Sequence, residues 1–486
     1  MQVPLFCSAT YEAVAKVIDG ELAINLFCER AESEGARSPI ALLKAPGKTL
    51  FSQVPEAGVT SEYTVNGRTF VAGSQLYEIA SNGTATARGS LGGTQPLRPC
   101  QMASNETQLI ALNNGNLYIL TLATNAFAAV NMAQLQGGAG SVAQVGFADG
   151  YFVVWFLKTH TFQVSSLEDG TTWSGLDVTT NSLFPDNFVT MICDHREIWF
   201  FSAKKSVGYY NAGAGNPPFI PIQGAFAEFG AAALSATVQL DNSVFWIGAD
   251  ERGSAVAYRL EGYSERRVST HAVEFAWQNY TTVADARAYT YQEDGHSFWV
   301  IYFPTANATW VYDVSTQYWH QRGAWNQTNG TYDADHSQSH TFNFGKHLVG
   351  DWASGNIYVQ STSILTDNGG ILRWIRRSPT QTDENKFIFF SMFEVDMQVG
   401  DGPQPPMTDG NGNPRQPQVM FRWSDNGGFD WSSTYYLDCG FAGEYNKRVR
   451  KTQLGRARKR VWELSGTDPV RSVVVSAYCQ AEQSLE

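Results

Sequence analysis

The stretch Ala288–Gly323, AYTYQEDGHSFWVIYFPTANATWVYDVSTQYWHQRG, contains one complete β-meander. Asp294 and Gly295 separate two aromatic-rich runs, and Asp-Gly is a strong hairpin signal because glycine tolerates the positive φ of such a turn. Pro304 ends the second strand because proline cannot donate to a strand ladder. Two more short strands follow before Gly323. The stretch therefore predicts a four-stranded antiparallel unit.

The same local pattern, a polar turn followed by a short strand with an aromatic residue, occurs seven times along the chain. The aromatic anchors are Tyr77, Tyr118, Phe152, Trp199, Phe245, Trp299 and Tyr358. The gaps between them are 41, 34, 47, 46, 54 and 59 residues, about the length of one meander. This recurrence is typical of a β-propeller, so we predict an all-β protein with a repeat domain of six to eight blades.

The composition agrees with an all-β core. Aromatic residues make up 13% of the chain, and wide rings are suited to filling the space between packed sheets. Helical periodicity is scarce, and short helices are predicted only at Ser8–Ile18 and Phe226–Leu234. No segment is apolar over ~18 residues, so no membrane insertion is predicted.

Changes in composition divide the chain into three parts. Residues 1–50 are predicted to be a partly extended segment that contacts neighbours or closes the propeller, and residues 51–370 are predicted to form the propeller. The repeats then fade, and short strands spaced as in a small sandwich predict a C-terminal β-sandwich-like lobe over 371–486. The Gly/Pro-rich stretch 400–417 is predicted to be an exposed, mobile loop in this lobe.

Charge is distributed unevenly along the chain. Residues 1–370 hold 19 Lys and Arg against 32 Asp and Glu, a balance of -13, whereas residues 371–486 hold 15 against 14. An acidic main body argues against general nucleic-acid binding, because phosphate contacts need a positive field. It remains compatible with a surface past which DNA slides.

The main charge feature is Lys447–Arg460, KRVRKTQLGRARKR, with eight basic residues in fourteen. Two strands around a turn at Gly455 would form a basic hairpin, on which Arg456, Arg458 and Arg460 line one face. This hairpin is predicted to contact an acidic partner or DNA, the alternative being a solvated edge that prevents sheet aggregation. Its candidate contact residues are Lys447, Arg448, Arg450, Lys451, Arg456, Arg458, Lys459 and Arg460. A second basic cluster contains Arg373, Arg376 and Arg377.

Two segments resemble the Asp boxes of sialidase-type propellers, in which an acid, a glycine and a tryptophan hold a hairpin turn. We interpret them as structural turns, because Asp, Asn and Gly are common in turns generally. Their key residues are Glu168, Gly170 and Trp173 in the first, and Asn426, Gly428 and Trp431 in the second.

No catalytic or metal site is predicted. Glycoside hydrolysis needs two positioned carboxylates, and nothing in the spacing of the acidic residues selects a pair. The six Cys are scattered without a CxxC pair, and His336 and His340 would suit a metal only on a helix. We therefore predict a protein that is not an enzyme and has no cofactor. The alternative is a sialidase-like or carbohydrate-binding propeller that recognises the host surface.

Several phrases together resemble the packaged-DNA stabilisation proteins, or tail hubs, of short-tailed double-stranded-DNA bacteriophages. They span residues 63–465 with gaps. They are YTVNGRTFVAGSQLYEI (63–79), PDNFVTMICDHREIWFF (185–201), DNSVFWIGADERGSAVAYRLEGY (241–263), STHAVEFAWQNY (269–280), YTYQEDGHSFWVIYFP (289–304), FGKHLVGDWASGNIY (344–358), FRWSDNGGFDW (421–431) and RVRKTQLGRARKRVWELS (448–465).

The resemblance implies a structural protein of the virion tail, assembled in the host cytoplasm. Members of that family form a ring, generally a homohexamer, below the portal and its adaptor protein. The ring continues the DNA channel, retains the packaged DNA and docks tail fibre, spike or needle proteins. The acidic main body of this chain predicts that passing DNA touches it only weakly. The resemblance implies no catalytic residues in this chain.

Overall fold

The structure is a computed structural model that describes residues 2–3, 10–15, 19–33, 35–36, 38–93, 98–213, 215, 217–249 and 255–483. β-strands dominate it. The N-terminal strands are β1 (Gln2–Val3), β2 (Tyr11–Glu12), β3 (Gly20–Ile24), β4 (Leu26–Arg30), β5 (Ile40–Lys44) and β6 (Gly47–Gln53).

Four-stranded antiparallel sheets follow one another as the blades of a propeller. Blades 1 to 3 contain β7 (Ser61–Val65), β8 (Arg68–Ala72), β9 (Gln75–Ile79), β10 (Ala85–Ser90); β11 (Gln101–Ser104), β12 (Gln108–Asn113), β13 (Asn116–Thr121), β14 (Ala126–Ala129); and β15 (Val142–Ala148), β16 (Tyr151–Phe156), β17 (Thr161–Ser166), β18 (Asp169–Thr180). A short 3-10 helix, Met132–Gln134, precedes β15.

Blades 4 to 6 continue the ring, and β31 (Thr331–Ala334) extends the last of them. They contain β19 (Phe188–Asp194), β20 (Glu197–Ser202), β21 (Ser206–Asn211), β22 (Phe219–Ala227); β23 (Val238–Leu240), β24 (Ser243–Ala249), β25 (Ala255–Glu261), β26 (Ser264–Arg267); and β27 (Arg287–Glu293), β28 (His296–Phe303), β29 (Ala308–Asp313), β30 (Tyr318–Asn326). The meander at 288–323 is thus blade 6, as predicted.

Blade 7 is built from both ends of the propeller sequence. β32 (Ser337–Asn343), β33 (Lys346–Asp351) and β34 (Asn356–Ser361) form three of its strands, and β6 pairs antiparallel with β34 as the fourth. The innermost strands β32 and β7 are neighbours, which closes the ring. The predicted all-β propeller is confirmed, and the described residues form seven blades. The predicted start of the propeller at residue 51 lies inside β6.

The seven aromatic anchors lie one in each blade, but not at equivalent positions. Phe152, Trp199, Phe245 and Trp299 are on second strands, whereas Tyr77, Tyr118 and Tyr358 are on third strands. Both middle strands of a blade are covered on their two faces by neighbouring blades, so either can hold a large ring. This shift between strands accounts for part of the uneven spacing of the anchors.

The C-terminal lobe is a β-sandwich. Its strands are β35 (Trp374–Arg377), β36 (Gln381–Thr382), β37 (Ile388–Met397), β38 (Met407–Thr408), β39 (Pro414–Arg415), β40 (Gln418–Ser424), β41 (Tyr435–Asp438), β42 (Val449–Thr452), β43 (Arg456–Ala457), β44 (Lys459–Gly466) and β45 (Val473–Gln483). One sheet has the order β4-β5-β45-β37-β42, and the other contains β35-β44-β40-β41. Phe393, Phe421 and Trp462 stack between them.

The N-terminal segment joins the sandwich to blade 6. β3 pairs in parallel with β30 of the propeller and antiparallel with β35 of the sandwich, while β4 and β5 belong to the opposite sandwich sheet. The loop 400–417 contains the small hairpin β38–β39, which Arg415 ties to Asp468 through an ion pair of 2.7 Å. The mobility expected of this loop stays a prediction.

The helix predictions were wrong where the structure describes them. Part of Ser8–Ile18 lies outside the described residues, and Tyr11–Glu12 form β2; Phe226–Ala227 end β22. Gly230 comes so close to the backbone of Ala203 that a Cβ would lie 2.3 Å away. The α-helix that is present, α1 (His271–Gln278), has only two turns and therefore little periodicity. No helix of the described residues has the length and apolar character of a membrane span.

His296 links blade 6 to β4 and supplies a testable pH dependence. Its ring nitrogens lie 2.7 Å from the Asp313 carboxylate and 2.8 Å from that of Glu29. Burial favours the neutral ring, but the two carboxylates outweigh it and raise the pKa of His296 to about 9. The stability that the charged ring contributes is therefore complete below about pH 6.5, the pKa of unfolded His, and is lost as the pH rises through 9.

We expect His296→Gln to cost more free energy of unfolding at pH 6 than at pH 9.5, because glutamine cannot supply the positive charge. Urea unfolding of the variant and the wild-type protein at both pH values measures the difference. Equal costs at the two pH values would contradict the assigned charge.

Candidate functional site

The basic segment Lys447–Arg460 is not a hairpin, contrary to the prediction. β42 and β43 both pair with β37 in one sandwich sheet, whereas β44 pairs with β35 and β40 in the other. The chain does turn at Gly455, with a φ of +72°, but it then crosses between the sheets instead of returning along β42. The expected alternation of side chains consequently breaks after Ala457.

Arg460 is separated from Arg456 and Arg458 by this crossing. It is 1% exposed, and its guanidinium pairs with Asp425 at 2.6 Å and donates to the Leu454 carbonyl at 2.8 Å. The rings of Phe390 and Trp462 lie 4.5 and 5.1 Å from its guanidinium carbon. Arg460 therefore belongs to the sandwich core and is not available to a partner.

Arg456 and Arg458 remain on the surface, where both guanidiniums lie over one ring. Their guanidinium carbons are 4.7 and 4.3 Å from the centroid of Phe387, and Phe389, 44% exposed, pairs with Arg456 across the sheet. Neither arginine forms an ion pair with a carboxylate of the described residues. We name Phe387, Phe389, Arg456 and Arg458 the cation–aromatic patch. The sequence analysis missed its two phenylalanines, which alternate with core residues in KFIFF.

The other basic residues of the segment divide into paired and free ones. Arg448 donates to Glu394 at 2.7 Å, and the Lys451 ammonium lies 4.2 Å from the centroid of Tyr435. Lys447 and Arg450 are exposed, while Lys459 is half-buried at the start of β44. The patch is the better candidate for a contact with a partner, because it combines two unpaired arginines with an exposed phenylalanine, and arginine and aromatic residues are enriched in the central contacts of protein interfaces.

The second basic cluster lies where the N-terminal segment and blade 6 meet the sandwich. Arg376 is fully buried and pairs with Glu21 of β3 at 2.9 Å, and Arg377 pairs with Glu463 at 2.9 Å. The guanidinium carbon of Arg373 lies 4.1 Å from the centroid of Trp325 in β30. The three arginines thus fix the N-terminal segment and blade 6 to the sandwich.

The first Asp-box-like turn uses Asp169 where the sequence analysis singled out Glu168. The Asp169 carboxylate accepts from the amide and hydroxyl of Thr171 at 2.9 and 2.7 Å. Burial opposes its ionisation, but these bonds hold the pKa of Asp169 at about 2. The indole of Trp173 donates to the Gly170 carbonyl at 2.8 Å.

The second Asp-box-like turn is centred on Asn426, whose side-chain oxygen accepts from the amides of Phe429 and Asp430 at 3.1 and 2.9 Å. Gly428 has a φ of +91°, which only glycine adopts readily. The ring of Trp431 lies beside the guanidinium of Arg422, at 4.6 Å. Both turns are held by their own backbone amides.

The innermost strands enclose an axial cavity of about 680 Å³. Of the described residues that line it, Glu62 alone carries a carboxylate, whereas glycoside hydrolysis uses two. Burial raises the pKa of Glu62 well above its usual range. The sequence analysis missed this residue, because nothing local distinguishes it from a surface glutamate.

His340 lies on strand β32 and not on a helix. Its Nε2 is 3.1 Å from Nδ1 of His347, and burial keeps its pKa at about 3. No three His, Cys, Asp or Glu side chains of the described residues converge to hold a metal ion.

One end of the propeller is a rim of turns that join the first to the second strand of each blade, together with turns that follow the third strand, such as Leu167–Glu168 in blade 3. Side chains on these turns connect neighbouring blades, as in the ion pair of Arg196 with Asp149 at 2.5 Å. The other connections include Asn66 to the Glu106 carbonyl (2.7 Å), Asn105 to the Glu168 carbonyl (2.8 Å), His195 to Asn242 (2.6 Å), Thr362 to Asp294 (2.7 Å) and Asn343 to the Gly67 carbonyl (2.9 Å). We name this end the turn rim.

The chain has a remote likeness to several solved structures. The extracellular domain of the one-component system BT4673 from B. thetaiotaomicron has a TM-score of 0.41 at 12% identity over 86% of this chain, which spans 56% of the length of that domain. YCF48 from Cyanidioschyzon merolae has a TM-score of 0.40 at 11% identity, over 65% of this chain and 98% of its own. Both likenesses are too weak to bear on function. No curated protein sequence shows significant similarity.

Two protein-family descriptions match the chain. The one described as the β-propeller of bacteriophage P22 Gp10 matches residues 1–364, and the one described as the β-sandwich of the same protein matches residues 373–482. The two matches cover the propeller and the sandwich in turn. The chain therefore belongs to the family of bacteriophage P22 Gp10, the DNA-stabilising proteins of the phage tail.

Proposed function

We propose that this tail protein forms a closed ring below the portal and its adaptor, continues the DNA channel, retains the packaged DNA and docks tail appendages. The observation that carries the proposal is the cation–aromatic patch, whose arginines are exposed and have no acidic partner among the described residues of their own chain. Such a surface favours contact with an acidic protein surface.

The acidic propeller supports weak contact with passing DNA. Residues 1–370 carry a balance of -13, and a protein gains affinity for DNA by neutralising phosphates with Lys and Arg. A wall with this charge lets a duplex move without holding it. The packaged DNA would then be retained by physical closure of the channel and not by affinity for its wall.

The ring predicts a specific mass. We expect native mass spectrometry of the chain, alone or with its adaptor, to give a closed oligomer of about six 53.6-kDa chains, as the family resemblance implies. DNA-filled heads assembled without the chain should lose their genome to nuclease, whereas complete particles should protect it. A chain that stays monomeric with and without the adaptor, together with heads that keep their DNA, would contradict the proposal.

A further inference from the structure

A second surface of the chain has the opposite character to the cation–aromatic patch. It lies on the turn rim at blades 2 and 3 and contains Glu106, Leu167, Glu168 and Asp169, which we name the acidic patch. The chain has a positive φ at Glu106 and at Glu168, and both side chains are exposed. Leu167 is 63% exposed, so this surface combines carboxylates with an apolar side chain.

The acidic patch is fixed in shape. Asn105 donates to the Glu168 carbonyl at 2.8 Å, and Gln108 donates to Asp169 at 3.2 Å, which connects the turns of the two blades. The carboxylates of Glu106 and Glu168 form no ion pair with the described residues. The nearby Arg196 is paired with Asp149. The patch therefore presents net negative charge that nothing in this part of the chain neutralises.

The two patches lie on separate parts of the subunit, one on the sandwich and the other on blades 2 and 3 of the propeller. The sandwich, which carries the cation–aromatic patch, is joined to the propeller at blade 6 through β3 and β30. In a ring of seven blades, the positions across from blade 6 are blades 2 and 3, where the acidic patch lies. A head-to-tail ring requires two different, complementary surfaces on each subunit.

We propose that the cation–aromatic patch of each copy docks on the acidic patch of the next copy. In this contact Arg456 and Arg458 face Glu106 and Glu168, and Phe389 packs against Leu167. The inference rests on the proposed ring and adds the residues that join its subunits.

A protein surface suits the patch better than duplex DNA. Arginine and aromatic residues are enriched in the central contacts of protein interfaces. A DNA-binding surface gains its affinity from many cations spread along the backbone, whereas here two arginines share one ring. Exposed Phe389 gains nothing against phosphate but can bury apolar area against Leu167.

The test is a charge exchange in the full-length chain. We expect R456E/R458E, and separately E106R/E168R, to weaken self-association at least tenfold in analytical ultracentrifugation. Combining the four substitutions should restore most of it, because the opposite charges face each other again. The matched controls are K204E and E265R, which reverse exposed charges away from both patches and should leave the mass of the assembly unchanged. Circular dichroism verifies that each variant is folded.

Cysteine cross-linking tests the contact without disturbing the charges. The variant L167C/F389C, assembled into tails and oxidised, should give a ladder of disulfide-linked chains up to the full ring on a non-reducing gel. Neither single variant should give more than traces.

The outcomes separate the two proposals. A wild-type chain that never assembles contradicts the ring itself. A wild-type ring that both charge reversals leave intact, without a cross-linked ladder, contradicts only the contact. If R456E/R458E blocks tail assembly while E106R/E168R does not, the patch docks on another virion protein; if R456E/R458E lowers only DNA binding, it contacts DNA. Either result overturns the contact between copies.

Discussion

Replacing Lys48 with methionine is expected to lower the free energy of unfolding by about 3–5 kcal/mol, the usual cost of leaving one partner of a buried ion pair alone. Lys48 lies on the closing strand β6, and its ammonium is 2.5 Å from the buried carboxylate of Asp335. Burial opposes ionisation of both groups, but each stabilises the other, so the pKa of Asp335 lies far below its usual range and that of Lys48 is raised. Urea unfolding followed by tryptophan fluorescence measures the loss.

The double variant K48M/D335N separates the charge effect from the loss of the side chain. It removes the unpaired carboxylate, so it should be more stable than K48M alone. The control K386M removes an exposed pair with Glu384 and should change stability by less than about 0.5 kcal/mol. Hydrogen exchange should also show faster exchange of the β6 amides in K48M, because this strand holds blade 7 closed. A K48M variant as stable as the wild type would show that the pair contributes nothing.

Replacing Arg460 with alanine is expected to destabilise the sandwich by about 2–4 kcal/mol, from the lost charged hydrogen bonds and the cavity left among the rings. Its partner Asp425 is 45% exposed and can be rehydrated, which keeps the expected cost below that of K48M. The matched control is Arg458→Ala, which removes an exposed arginine two residues away and should cost less than about 0.5 kcal/mol.

The two arginine variants should affect assembly and folding differently. R458A removes part of the cation–aromatic patch and should weaken the oligomer without affecting folding, whereas R460A should lower the unfolding midpoint of the sandwich. Equal stability of R460A and R458A would show that the buried ion pair and ring contacts of Arg460 are dispensable.

The arginines show how far the sequence could predict the candidate site. The concentration of positive charge at 447–460 was visible, because charge is a property of each residue. Which arginine is free depends on the partner strand. The chain passes from one sandwich sheet to the other after Ala457, and a local alternation of side chains cannot show such a crossing. The acidic patch was missed for a related reason, since turns 62 residues apart, at Glu106 and Glu168, meet only when blades 2 and 3 pack together.

The sequence by itself determined the all-β class, the repeated meander of the propeller and the presence of a C-terminal β-sandwich, because strand period and turn chemistry act over a few residues. The number of blades, the closure of blade 7 by β6 and the joining of the sandwich to blade 6 were decided only by the tertiary structure. The closure of blade 7 and the joining of the sandwich pair strands that are hundreds of residues apart, as Thr49 with Val359 and Ile24 with Gln321. Such a pairing is selected by the fit of whole sheets and leaves no signal in either strand alone.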